Sequence, residues 1–285
     1  LITLRTLQPA ANILAFYAGR LPGESFSSEP NWVDDGAISL GTASYAIIDD
    51  THVSVDIARQ IREVLKQRGI RKITVLLSHW HLDHVAGNEA FADCEIISNA
   101  RTLQHLMDNK AGIEDGSFHE LPAINPLVLP TRTFTGGMDF ILGGIKLKFI
   151  EANIHSDDAS LIWWEGQKIL FAGDTMEDTV TYVGEPENFD IHLADLDRLW
   201  QLHPMNILPN HGHPDVIASG GYGKSLIRAQ QQYIRTLRRC AIEPELAGQS
   251  LRDLISGPLE AGWVNYFAPY ERVHEQNLKR VGASS

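Results

Sequence analysis

Lys72-Ile73-Thr74-Val75-Leu76-Leu77-Ser78-His79-Trp80-His81-Leu82-Asp83-His84 decides how the rest of the chain is read. The apolar run at its start has the length and β-branched content of a buried strand. It ends in three imidazoles and one carboxylate. In extended backbone, residues i and i+2 share a face, so His79 and His81 can chelate one ion together. Asp83 and His84 fall where the chain turns toward a helix expected over residues 85–91. They face a different direction and can hold a second ion. Ligand-type side chains at this density point to a metal site at a strand end rather than to a solvated loop.

The pattern His-x-His-x-Asp-His resembles the signature of the metallo-β-lactamase superfamily. The likeness extends over roughly residues 38 to 217, because three later motifs stand in the family's order. They are Ile154-His155-Ser156, Leu170-Phe171-Ala172-Gly173-Asp174 and Leu208-Pro209-Asn210-His211-Gly212. The resemblance implies an α/β fold, a four-layer αβ/βα sandwich. It implies two divalent metal ions, zinc by default, with manganese, iron or cobalt accepted by the same ligand types. His79, His81 and His155 would hold one ion, Asp83, His84 and His211 the other, and Asp174 would bridge them. The implied activity is hydrolysis of an ester, lactone or thioester of a small molecule by a hydroxide shared between the ions, with Asp83 orienting it and passing a proton.

Subclass is read from the same residues. By resemblance, an aspartate at 174 leans away from β-lactam cleavage, where cysteine or serine is usual. A histidine at 81 leans away from the diiron flavoprotein branch. The chain also departs from the pattern. Lactonases carry a tyrosine soon after the bridging aspartate, but here the first is Tyr182, which stands as a substrate-contact candidate. Ser156-Asp157-Asp158 replaces the usual continuation after the histidine and reads either as partners of a ligand imidazole or as a solvated turn. No basic C-terminal group suited to glutathione thioesters is apparent; Arg235, Arg238 and Arg239 read as a helix surface. The rivals are a mononuclear iron oxygenase acting on persulfides, which would fill the three-histidine site alone, a β-lactam hydrolase, and a non-catalytic metal-binding scaffold.

Composition narrows the partners. The chain has 285 residues, 44% of them hydrophobic, and a net charge of −12 from 24 basic and 36 acidic side chains. An acidic surface opposes nucleic-acid binding, which needs Lys and Arg against phosphates. The length suits a catalytic domain over residues 1–223 with a helical extension, 224–285, packed on it. Cys94 and Cys240 form no disulfide framework, and Cys94 reads as a small buried hydrophobe. No signal peptide or membrane-length apolar stretch is evident, so a cytoplasmic location is expected. Export stays open because the first residue is Leu1.

Strands are expected at residues 44–49, 94–98, 144–150, 159–164 and 168–172, the last two joined by a hairpin turn at Glu165-Gly166-Gln167. Helices are expected around Ile57, Ala58, Ile61, Val64 and Leu65, ending near Gly69, over residues 100–110, and through Leu226, Ala229, Tyr233, Ile234 and Leu237. Residues 1–35 resist reading, and 112–144 read as an insertion and turn. Pocket walls are expected from residues 22–36, 112–140 and the tail, with a loop at residues 26–31 over the site. Asp50 reads either as a partner of a metal-binding side chain or as a turn or cap residue. His213 competes with His211, which the resemblance favours because it precedes the glycine. Tyr222, in the flexible stretch Gly220-Gly221-Tyr222-Gly223, is a weaker substrate candidate. His52, His105, His119, His192, His203 and His274 lack a ligand-like setting.

Overall fold

A computed structural model describes residues 4–18, 36–41, 44–118 and 123–283. The first sheet runs in chain order: β1 (Arg5–Ala10), β2 (Ile13–Tyr17), β3 (Gly36–Gly41), β4 (Tyr45–Asp49), β5 (Lys72–Leu76), β6 (Glu95–Asn99) and β7 (Arg132–Phe134). It is antiparallel up to β4 and parallel from β4 to β7. The second sheet holds β8 (Met138–Leu142), β9 (Ile145–Glu151), β10 (Ser160–Trp164), β11 (Ile169–Gly173) and β12 (Asn206–Pro209). Only its last pair, β11 with β12, is parallel.

Side-chain alternation explains why the sheets stack. Ile47, Leu76 and Ile97 point into the space between the sheets and share one core with Leu147, Phe149, Leu161 and Leu170. Their neighbours Ala46, Ile48, Val75 and Ile96 point the other way, onto helices. Central strands buried on both faces read as unbroken apolar runs, which is how β5 looked in the sequence. Helix α1 (Val55–Gln67) covers that outer face with Ile57, Ala58, Ile61 and Leu65. Ser54 Oγ caps it by accepting from Ile57 N, and Gly69 leaves it at φ +84°. After α2 (Leu82–Val85), α3 (Ala100–Asp115) starts at the Asn99 cap and stops at left-handed Gly116.

The second sheet's outer face is covered by α4 (Phe189–Gln201) and α6 (Ser225–Cys240), which follows the short α5 (Pro214–Ala218). Phe189, Leu196, Leu226, Tyr233 and Leu237 belong to the same core as the sheet beneath them. The layers are therefore helix, sheet, sheet, helix, the expected α/β sandwich. Three short helices, α7 (Pro244–Ala247), α8 (Leu251–Leu254) and α9 (Ser256–Glu260), lead to α10 (Tyr270–Ala283). No described helix is long and apolar enough to cross a membrane.

Several expectations needed correction. Residues 5–10 and 13–17, unread in the sequence, form an edge hairpin. The segment 112–144 is less of an insertion than expected, because α3 runs to Asp115 and β7 and β8 follow. The helix expected over 85–91 is split at Gly87, where a Cβ would come within 2.1 Å of the Thr51 carbonyl oxygen. This close approach turns the chain into a separate 3-10 turn, Asn88–Phe91. The loop expected at 26–31, and the pocket wall expected over 22–35, lie outside the described residues.

Candidate metal centre

The seven candidate ligands meet where strands of both sheets end. β5 runs out through Leu77 and Ser78 into His79, and His81 N-caps α2, which carries Asp83 and His84. The opposing sheet supplies His155 from the β9–β10 loop, Asp174 directly after β11 and His211 two residues after β12. Ser160 N donates to Ser78 O at 2.7 Å across the sheets. Gly173 makes the approach possible: at φ +53°, a Cβ there would lie 2.7 Å from the Ser78 Cβ. Two groups result. His79, His81 and His155 form one, and Asp83, His84, Asp174 and His211 form the other.

Hydrogen bonds on the far side of each ring determine where its lone pair points. His155 Nδ1 lies 3.0 Å from the Tyr182 carbonyl oxygen, which can only accept, so Nδ1 carries the proton. Ser78 Oγ donates to Asp50 at 2.5 Å, so it accepts from His79 Nδ1 at 2.9 Å. Both Nε2 atoms are then bare lone pairs, and they stand 3.2 Å apart. His81 Nδ1 approaches the same His155 Nε2 at 3.0 Å. Burial, followed by neighbouring histidines, holds His79 well below the ordinary imidazole range, and burial and His155 push His81 down to about 3. No extra proton relieves the contact. Ligands about 2.05 Å from a tetrahedral centre stand roughly 3.3 Å apart, so the spacing fits a shared cation.

The second group is built on carboxylates. Asp174 Oδ2 lies 3.0 Å from His84 Nε2 and 3.2 Å from His211 Nε2. The same oxygen lies 3.8 Å from His79 Nε2 and 3.7 Å from His155 Nε2, so it faces both groups. Asp83 Oδ2 lies 3.4 Å and 3.5 Å from the His84 and His211 Nε2 atoms. Burial opposes charge on His84 and His211, yet the facing carboxylates raise both well above the usual range. Burial also opposes charge on Asp174, but His211 and His84 hold it well below the carboxylate range. His84 Nε2 and Asp174 Oδ1 are buried with no hydrogen bond of acceptable geometry. These residues also fit a divalent cation, and Asp174 faces both groups.

Asp50 touches the centre only through others. Its Oδ2 accepts a hydrogen bond from His84 Nδ1 at 2.8 Å, and its carboxylate also accepts from Ser78 N at 2.7 Å and from Asn210 Nδ2. Tyr182 lines the cavity over the centre, and its carbonyl holds His155. Tyr222 does not line that cavity. It is buried, bridged to Ile207, and its hydroxyl donates to Asp178 and accepts from His213 N, so the stretch expected to be flexible is pinned. His213 instead caps α5, accepting from Asp215 N. Neither aspartate after Ser156 supports a ligand imidazole. Asp157 pairs with His105 at 2.7 Å, and Asp158 is buried, accepts from Ser156 Oγ and is pushed up by burial to about 6.

A cavity of about 870 Å³ opens onto the centre. Its walls include the tail, as expected, through the α10 side chains Arg272, Gln276, Lys279 and Arg280, but no described residue of 112–140; His105 beside Trp80 and Glu177 also line it and were passed over in the sequence. Glu177 accepts from Tyr182 N at 3.1 Å and from the Tyr270 hydroxyl at 2.9 Å, while burial and then Asp174 push its carboxyl up to about 8. The only sequence signal for these residues was proximity to Asp174 for Glu177 and helical spacing for the α10 group.

Residues 41–213 match the Metallo-beta-lactamase superfamily. A beta-lactamase-like protein 2 homolog of Caenorhabditis elegans is 26% identical over 61% of this chain and 54% of its own length. A hydroxyacylglutathione hydrolase of Methylococcus capsulatus is 27% identical over 48% and 44%. An atrochrysone carboxyl ACP thioesterase of Emericella nidulans is 26% identical over 74% and 62%. The chain thus spans about half to three-fifths of the length of these relatives. A metallo-β-lactamase of Pseudomonas aeruginosa, solved in its mono-zinc form, superposes with a TM-score of 0.62 at 14% identity, over 84% of this chain and 97% of that one. With the matched segment covering more than half of its residues, the chain belongs to the metallo-β-lactamase superfamily.

Proposed function

We propose that the chain is a metal-dependent hydrolase holding two divalent cations and cleaving an ester, lactone or thioester bond of a small molecule. One cation would be held by His79, His81 and His155, the other by Asp83, His84 and His211, with Asp174 shared. The carrying observation is the pair of opposed lone pairs, His79 Nε2 and His155 Nε2 at 3.2 Å, whose ring protons are committed elsewhere. The second group supports two cations over one. Bound cations would supply Lewis acidity and lower the pKa of a coordinated water.

The chain's own residues orient and handle protons. Asp83 keeps 25% of its side chain exposed at the cavity, against 4% for Asp174. It is the carboxylate of the set placed to accept a proton from water and return it to a leaving group. Ser78 and the Tyr182 carbonyl fix the His79 and His155 rings, and Glu177 holds the Tyr182 backbone. The names of two relatives, a hydroxyacylglutathione hydrolase and an ACP thioesterase, favour a thioester among the three bonds.

The test is hydrolysis of a panel of thioesters, lactones and aryl esters by metal-quantified protein, with and without chelator. Chelator-sensitive turnover by wild type, reduced at least tenfold in Asp83→Asn, is the expected result. Turnover that survives complete metal removal would sink the reading.

A further inference from the structure

One buried carboxylate ties two of the ligand-bearing loops to the tail of the chain. Asp178 stands shortly after Asp174 on the same loop and is fully buried. Its backbone N donates to His211 O at 3.0 Å. Its Oδ2 accepts from the Tyr222 hydroxyl at 2.5 Å, and that hydroxyl accepts from His213 N at 2.7 Å. The turn His211-Gly212-His213 is therefore gripped at both ends by one residue, directly at the first carbonyl and through Tyr222 at the last amide. Tyr222 is itself fixed, because it and Ile207 of β12 exchange backbone hydrogen bonds of 2.7 and 2.8 Å.

The same carboxylate also meets the tail. Oδ1 accepts from Asn265 N at 2.6 Å, and Oδ2 accepts from Asn265 Nδ2 at 2.8 Å. Thr179, the next residue, donates its hydroxyl to Asn265 O at 2.7 Å and accepts from Phe267 N at 3.0 Å. Farther along the tail, Tyr270 bonds Glu177, and Asn277 donates to Thr181 O and accepts from Val183 N. Burying a carboxylate is costly unless its oxygens are hydrogen-bonded. Both the tail and Tyr222 supply donors to Asp178, so docking of the tail and seating of the His211 turn favour each other. The consequence reaches the metal centre. His211 Nε2 lies 3.2 Å from Asp174 Oδ2, at the start of the loop that carries Asp178. A metal site needs its side chains held within roughly 0.5 Å of the productive geometry.

We propose that Asp178 is a positioning residue for the second group of candidate ligands: it sets the His211 turn against Asp174 and makes that setting depend on the docked tail. This rests on the two-cation reading and adds the tail to the machinery of the second cation. Coupling of this kind is reciprocal, so a cation held by His211 strengthens the tail in turn.

The test uses Tyr222→Phe, which removes the bridge to His213 N, and Asp178→Asn, which turns one acceptor oxygen into a donor facing donors. Each is made in the full chain in two backgrounds. His81→Ala leaves the second group to bind metal, and His84→Ala leaves the three-histidine group. In zinc titrations against a competing chelator, both variants should bind about 10- to 100-fold more weakly at the second group and within about threefold of their background at the first. Equal weakening of the two groups would mark general damage to the fold and overturn the proposal, as would unchanged affinity at the second group. If either background binds no zinc, the two-cation reading fails, and hydrogen exchange on metal-free protein decides the coupling by itself. Asn265→Ala removes a tail donor and leaves the His211 turn untouched. In that variant residues 208–214 should exchange about tenfold faster, because exchange follows local opening, while α1 exchanges as in wild type. Unchanged exchange over residues 208–214, or equal acceleration in α1, would overturn the coupling.

Discussion

The two sheets build their halves of the centre by opposite means. The first delivers His79, His81, Asp83 and His84 from six consecutive residues and braces them locally, through Ser78 and through Asp50 at the end of the neighbouring strand. The second delivers His155, Asp174 and His211 singly, from three loops. The first two of these loops are held from a distance. Asn153 N donates to Asp195 of α4 at 2.7 Å and its Oδ1 meets His192 of the same helix, while the segment after Asp174 is held by the tail. A local half can be read from one motif. A remote half depends on elements that the motif does not mention.

The sharpest way to break this comparison is at the atom the halves share. Asp174→Asn keeps the volume but removes the charge that faces all four Nε2 atoms. Loss of metal affinity and turnover should exceed the ~10- to 100-fold typical of losing a supporting residue, and both ions should be affected when metal content is measured by mass spectrometry. Retention of both ions at wild-type affinity would mean that the halves are independent.

Asp50→Asn tests the local brace. The change removes the negative charge and one of the two acceptor oxygens that hold Ser78, His84 and Asn210, and leaves every candidate ligand in place. Metal titration should show affinity reduced by about 10- to 100-fold for one ion and little changed for the other. Equal weakening of both would show that Asp50 acts as much through Ser78, which holds His79, as through His84.

The same contrast explains what could be read in advance. β5 and its ligands were legible because a strand buried on both faces is apolar throughout and its end carries the chemistry. α1 was legible from the spacing of Ile57, Ala58, Ile61 and Leu65. His155, Asp174 and His211 were reached only by resemblance, since nothing local marks a lone histidine in Ile154-His155-Ser156. β12 and α4 were not foreseen, nor was the cationic face of α10. Their registers depend on packing against the second sheet, and which face of α10 meets the cavity is decided by Tyr270 and Asn277 reaching residues more than ninety positions earlier. Tyr222 misled for the same reason: a glycine-rich stretch looks mobile until its pairing with Ile207 is known.

The smallest expected effect tests the remote brace on the His155 loop. His192 is buried on α4 and its Nε2 donates to Asn153 Oδ1 at 3.0 Å. Burial, followed by the nearby His155, pushes its pKa from 6.5 down to about 4. The unfolded chain therefore takes up a proton that the fold refuses. Stability from this group is complete above pH 6.5 and is lost as pH falls from there toward 4, a difference on the order of 2–3 kcal/mol. His192→Gln keeps a donor for Asn153 and does not titrate. Denaturant unfolding of both proteins across that window separates this group from acid loss of metal, which is common to both. Wild type should lose 2–3 kcal/mol more than the variant, while metal content at pH 7.5 stays equal. Parallel stability curves would show that the fold does not hold His192 neutral, and would leave the bond from Asn153 N to Asp195 as the support that α4 gives the His155 loop.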